Sequence, residues 1–365
     1  MSRPSLPPAA STSAQRARRE TLKRLSALGL AGATTGGAVG VSFAQARTLA
    51  ASTFPGAWET AHRTVIVPAV TKATGVKDIT LTPLLPLEKI ARLTASRANP
   101  QFDVIIMDDG GFQLGVQNDL FEPLPAIANS KDIPKRFQYA KNLGIGVSLQ
   151  VFGIGYNTER VKNPPTSWND LLRPEYKGRV GLVQIGSTLG GAWMVEIARM
   201  NGGSEENMEP AFAWLKKVLP NVSAVAPSPG ALSTLLGQGQ VDITILYSNN
   251  LADLQGKGLP IALARPDTGW GVVRSGMHII RNSKNQDLAA EYINQALSVD
   301  VQSRLAEMPY ALVPTNVRTP MSRPLLQYAK TVAEVENFNQ PDWIRYSPLR
   351  QPYIDRFNRE VKIGA

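Results

Sequence analysis

The stretch that most limits how this chain can fold is residues 144–157. Two short apolar runs, Val147 to Phe152 and Ile154 to Tyr156, are separated by Gly153 and bordered by Gly146 and Gly155. Runs of this length, rich in Val, Ile and aromatics, read as buried strand. Glycine at the joint admits backbone angles that a side chain forbids. Such a segment suits a chain that leaves one lobe, crosses a cleft and begins another. Alone, it suits a single core strand with a bulge equally well. A second glycine-bearing stretch, Trp270 to Ile280 with Gly271 and Gly276, favours the crossover, since two crossings let a lobe be inserted between them. Gly153, Gly155 and Gly271 are then hinge positions.

A chain of 365 residues, 43% apolar and 19% charged, has room for two globular domains. It contains no cysteine, which excludes disulfides, thiolate metal sites and cysteine nucleophiles. Two histidines, His62 and His278, leave little for a zinc enzyme or a histidine-based triad. Residues 1–46 read as an export signal. Arg18 and Arg19 precede a mild apolar run from Leu25 to Phe43, and Ala44-Gln-Ala46 marks a cleavage point near Ala46. The paired arginines, with Leu22 and Lys23 after them, resemble the twin-arginine type, so twin-arginine export machinery is an expected partner. Half of the formal charge of +10 lies in this segment, on Arg3, Arg16, Arg18, Arg19, Lys23 and Arg24 against Glu20. The remainder of the chain carries ordinary surface charge and no basic stripe with interleaved aromatics, so no nucleic-acid partner is expected. The protein is expected to be soluble, periplasmic and monomeric.

From Arg47 onward, strand and helix patterns alternate. Strands are expected at Arg47 to Thr53, Lys77 to Leu84 and Phe102 to Met107, with helices at Trp58 to Lys72 and Leu87 to Arg97. Later strands are expected at Arg179 to Ile185, Val222 to Ala226 and Val241 to Tyr247. This alternation predicts an α/β fold with a mostly parallel sheet. The expected organisation is a first lobe from residues 47–152, a second from 153–269, and a return crossover with the rest of the first lobe and C-terminal helices over 270–365. Ligands of such sheets sit beyond the carboxyl ends of the strands. That places Phe54 and Trp58 of one loop, Asp108 and Asp109 of another, and Asn249 after the strand ending at Tyr247 at the candidate cleft. Ser187 and Thr188 open a long helix, where backbone N–H groups are free to hold a ligand.

Several segments together resemble the solute-binding proteins of ABC importers, in the group named after its spermidine/putrescine receptors. They are Trp168-Asn-Asp-Leu with Arg173-Pro-Glu-Tyr-Lys-Gly178, then Gly237-Gln-Gly-Gln-Val-Asp-Ile243 leading to Tyr247, Glu291 to Leu297, Val301 to Ala306, and Pro314-Thr-Asn316. The resemblance implies a two-lobed type II periplasmic-binding-protein fold with two crossover strands. It also implies closure around a small-molecule solute and a membrane permease as partner; no cofactor or bound metal is expected.

Polyamine receptors of this group hold ammonium groups with carboxylates and clamp the methylene chain with aromatics. Asp108 and Asp109 stand in the first-lobe loop where such a receptor contacts its ligand, and Tyr247 stands where the family carries an aromatic. Gly186 to Trp193 lacks the carboxylate those receptors place there. In the return crossover an acidic residue is expected near Ser275, and this chain has Val273-Arg-Ser275. An anionic or zwitterionic solute is the alternative, with Arg274 as counter-charge, helix starts as anion donors and Trp270 at the crossover. Ferric iron fits less well, since the iron receptors use paired tyrosines and Ser248 follows Tyr247. Two rival classes remain: an exported enzyme on the same fold, and a ligand-sensing receptor for a membrane kinase. No Gly-x-Ser-x-Gly elbow, Walker loop or His-Glu-x-x-His is present for the former.

Overall fold

A computed structural model describes residues 47–361. The export signal expected over residues 1–46 lies outside the described residues. Near the start, β1 (Thr48–Thr53) pairs in parallel with β2 (Asp78–Pro83) on one side and β3 (Val104–Asp108) on the other. Helices make the connections. The first, α1 (Ala57–Ala61), passes through a π-helical turn at His62–Ile66 into α2 (Val67–Thr74). Gly75 ends it at φ 74, a left-handed angle that suits glycine. Then α3 (Pro86–Ala95) leads to β3, and α4 (Asp109–Gln117) leaves it towards the short β4 (Phe121–Glu122).

The middle of the chain repeats the pattern. It carries β5 (Ile145–Asn157), β6 (Val180–Val183), α5 (Thr188–Met200), α6 (Glu209–Val218) and β7 (Val222–Ala226). After them come α7 (Pro229–Gly237), β8 (Ile243–Tyr247), α8 (Ser248–Gly256) and β9 (Ile261–Ala264). The chain returns through β10 (Gly271–Ile280) to α9 (Gln286–Ala296), α10 (Val299–Ala306), α11 (Val332–Val335), α12 (Trp343–Tyr346) and α13 (Arg350–Glu360). The sheet order is β2-β1-β3-β10-β5-β8-β6-β7, with β4 on β10 and β9 on β5.

Two strands join the lobes. The first half of β5 pairs antiparallel with β10, and its second half pairs antiparallel with β8 and β9. On β5, Val151 belongs to one hydrophobic core and Phe152 to the other; on β10, Val272 and Val273 divide the same way. Alternate residues of a strand point to opposite faces, so two adjacent side chains serve two cores. The core of the first lobe draws on both ends of the chain, from Leu49 to Val151 and from Trp270 to Val335.

Two expectations are corrected. The run around Gly153 is not two strands but one unbroken 13-residue strand, buried throughout. Its glycines answer crowding rather than a break. A Cβ on Gly153 would lie 2.6 Å from the Ala264 carbonyl oxygen, and one on Gly155 would lie 2.6 Å from Leu246 Cβ. One on Gly271 would overlap the Phe152 ring at 2.1 Å. The second correction concerns the tail. Trp343, Tyr346 and Phe357 pack in the second-lobe core, so the chain crosses between the lobes a third time near residues 336–342. Asn339 holds that crossing to the start of β10: its N–H donates to the Trp270 carbonyl at 2.9 Å and its carbonyl accepts from the Val272 N–H at 2.8 Å. Among the described residues, no helix is long and apolar enough to cross a membrane.

Candidate functional site

Both parallel strand sets end at one cleft. A cavity of about 1150 Å³ is lined by residues that follow β1, β2 and β3 on one side and β6, β7 and β8 on the other. Each of these strands leads into a helix whose first turn faces the cavity, through Gly56 to Trp58, Leu85 to Glu88, Asp108, Ser187 to Leu189, Ser228 to Gly230, and Asn249 to Asn250. Helix starts leave backbone N–H groups without intrahelical partners and carry partial positive charge. The cleft is therefore biased towards anions before any side chain is counted.

Asp108 sits where the lobes meet. Its carboxylate accepts from the Gly111 N–H at 2.8 Å and so caps α4. Burial raises its pKa; the Gly111 N–H, the Thr188 hydroxyl from the opposite lobe, and the charge of Arg350 work against that rise. Thr188 closes tightly on this turn, for a Cβ on Gly110 would lie 2.7 Å from its Oγ1. Phe54 and Trp58 form part of the first-lobe wall, edge to face with centroids 6.5 Å apart. Beneath Phe54 lies Lys89, whose Nζ is 4.1 Å from the ring centroid and donates to the Ile106 carbonyl at 2.7 Å. Burial lowers the Lys89 pKa well below the ordinary lysine value. On the other wall, Ser187 uses its hydroxyl to cap α5, accepting from the Gly190 N–H at 3.1 Å. Tyr247 packs edge-on to Phe152, and burial raises its phenol pKa. Two polar atoms of the wall are buried without a partner: Trp58 Nε1 and Asn249 Oδ1.

Phe54, Trp58, Asp108, Ser187, Thr188, Tyr247 and Asn249 thus share one cavity, and four other expected site residues do not line it. Asp109 is 1% exposed and Arg274 pairs with it at 2.7 Å. The carboxylate also accepts from the Arg274 N–H at 2.9 Å and from Gln340 Nε2 at 3.1 Å. Arg274 stacks over Tyr139 at 4.2 Å and donates to the carbonyls of Arg136 and Gln138. A buried carboxylate needs a paired charge, and Arg274 is consumed in supplying it rather than facing the cleft. Ser275 is fully buried and its Oγ accepts from Gln150 Nε2 at 2.8 Å. The wall residue there is Gln150. Trp270 packs edge-on against Tyr328, with centroids 5.2 Å apart, and covers Gly153. His278 is a core residue, packed against Phe112 and Phe121, which also stack on each other.

Sequence reasoning missed Gln150, Glu88 and Arg350 on the cavity wall. A polar Gln150 inside an apolar strand was a visible signal. Arg350, on the C-terminal α13, had none. Among the described residues, no three His, Asp or Glu side chains gather to hold a metal ion.

Comparison with known proteins decides the family. Residues 99–337 match the family described as "Bacterial extracellular solute-binding protein". The chain belongs to that family. An uncharacterized protein of Haemophilus influenzae is 30% identical over 226 residues, 58% of this chain and 63% of that protein. The putative 2-aminoethylphosphonate-binding periplasmic protein of Salmonella typhi is 25% identical over 264 residues, covering 70% of this chain and 74% of the relative. The spermidine/putrescine-binding periplasmic protein of Escherichia coli K12 is 24% identical over 217 residues, 58% of this chain and 61% of that one. The match thus spans less than two thirds of the Haemophilus and Escherichia proteins. In fold, this solute-binding protein is similar to the periplasmic binding protein AfuA of Actinobacillus pleuropneumoniae, with TM-score 0.71 and 21% identity over 87% of this chain and 99% of that one. The architecture is the two-lobed type II periplasmic-binding-protein fold.

Proposed function

We propose that this protein is an exported receptor that closes around a small polar solute bearing both charge signs, amino-acid-like or aminophosphonate-like, and delivers it to an ABC-importer permease. The observation that carries this reading is the cavity wall itself, where Asp108 and Arg350 both face a cleft ringed by helix starts. Asp108 is placed to take an ammonium group, while the N–H groups and Arg350 suit a carboxylate or phosphonate. A polyamine fares worse here. Of the other wall carboxylates, Asp253 is paired with Lys257 at 2.6 Å, and Glu88 accepts from the Leu85 N–H at 3.1 Å as a helix cap. A dication would bring its second charge into a cleft biased against it.

Ligand contacts made by both lobes favour the closed form over the open one, and that difference drives closure. The motion runs through β5 and β10 as unbroken strands, at the joint where Gly153, Gly155 and Gly271 let their neighbours pack closely. Export through the twin-arginine route to the periplasm, as a monomer, completes the proposal.

A thermal-shift screen of the purified protein against amino acids, phosphonates, polyamines and ferric ion tests it. Solutes carrying both charges should raise the melting temperature; at a hundredfold excess over the dissociation constant the gain is about 2.7 kcal/mol. A shift by polyamines alone, or by none of the panel, defeats the proposal.

A further inference from the structure

Arg350 opens α13, an 11-residue helix that continues directly from a 3-10 turn at Ser347–Leu349, and its N–H donates to the Ser347 carbonyl. The side chain reaches away from its own helix. Its Nη1 donates to the Gly110 carbonyl of the first lobe at 3.3 Å, and its Nη2 donates to the Gly186 carbonyl of the second at 2.5 Å. Both acceptors are neutral. The other arginine near the cleft, Arg274, has its charge matched by Asp109; Arg350 lines the cavity and acts on Asp108 only as a nearby charge.

The rest of the tail fixes this placement. Gln340 donates to Asp109 on the first lobe at 3.1 Å, and the Asp342 N–H donates to Glu205 on the second at 2.6 Å. Tyr346, Tyr353, Ile354 and Phe357 then pack on the second-lobe core. Ile354 lies against Gly186, the same turn whose carbonyl receives Arg350.

We propose that Arg350 is the specificity-determining residue for the anionic group of the solute, and that it recognises that group only when the two lobes hold it between them. This rests on the reading that the solute carries both charges. A guanidinium offers five N–H donors in a planar fork. With two given to Gly110 and Gly186, others remain for a carboxylate or phosphonate entering beside Asp108. One acceptor comes from each lobe, so only the closed arrangement holds the guanidinium beside Asp108, and a solute that contacts Asp108 and Arg350 together favours closure.

Calorimetric titration of the full chain and of Arg350→Gln and Arg350→Lys, with 2-aminoethylphosphonate and with putrescine, tests the proposal. The wild type should bind the phosphonate. Arg350→Gln should weaken it at least tenfold while leaving putrescine unchanged or tighter, and Arg350→Lys, which keeps the charge without the fork, should fall between. Should Arg350→Gln not fold, which its ligand-free melting curve shows, the several-fold loss in Arg350→Lys carries the test. Wild-type phosphonate affinity in the variants, or equal losses for both probes, overturns the assignment. A wild type that binds putrescine and not the phosphonate instead overturns the reading of the solute, and the Arg350 assignment with it.

Discussion

Among single residues, the two histidines give the plainest physical signal. Burial, helped by the charge of Lys89 at both rings and of Arg274 at His278 and opposed by the Leu143 carbonyl at His278, lowers the pKa of His62 and His278 to about 3. Between that value and the ordinary 6.5 the unfolded chain binds protons that the native protein does not, so these groups make stability rise with pH across that window. Buried Asp108 and Glu196, whose pKa values burial raises, contribute the opposite slope above the ordinary carboxyl range. Only two histidines exist in the chain, so their NMR titration is unambiguous. Neither ring should titrate between pH 8 and 5; a midpoint near 6.5 for either would show that it is not buried as described. Asp109 makes a second case. Replacing it by Leu leaves Arg274 buried without its partner and should cost about 3–5 kcal/mol in urea denaturation. Adding Arg274→Met to Asp109→Leu should recover part of that loss. Asp109 was readable as acidic and adjacent to the cleft, but which of two neighbouring carboxylates faces outward depends on a partner 165 residues away.

Among elements, β5 shows where sequence patterns inform and where they stop. Its apolar length was legible from the run itself, and its role as the crossing between lobes only once the second glycine-bearing stretch, Trp270 to Ile280, was set beside it. The reason for its glycines was not. A flexible joint and a crowded sheet call for the same residue, and only the neighbours distinguish them. Ala264 and Leu246 are those neighbours, and they belong to strands β9 and β8. Gly153→Ala should therefore cost about 1–3 kcal/mol through overpacking, measured by urea denaturation of the ligand-free protein. A fully stable Gly153→Ala would refute the crowding and leave flexibility as the account. The parallel strands and their helices were readable from alternation of pattern, which local residues set. The third crossing near residues 336–342 was not, since it is held by Asn339 and Gln340 through contacts that no short pattern encodes.

At the scale of the whole molecule, six strand ends converge on one cavity because each lobe carries a parallel set of three strands, and antiparallel β5 and β10 join the two sets. That geometry supplies the anion bias from the backbone and leaves side chains to supply the sign on each wall. The site was half legible for this reason. Strand ends such as Tyr247 and Asp108 are marked in the sequence, whereas Arg350 comes from a tail whose docking depends on the whole fold. The central claim is a cleft that reads both charges of one solute. Calorimetric titration with 2-aminoethylphosphonate, ethylphosphonate and ethylamine tests it most directly. The intact zwitterion should bind at least tenfold more tightly than either half; equal binding of one half, or tighter binding of spermidine than of the zwitterion, would contradict the account.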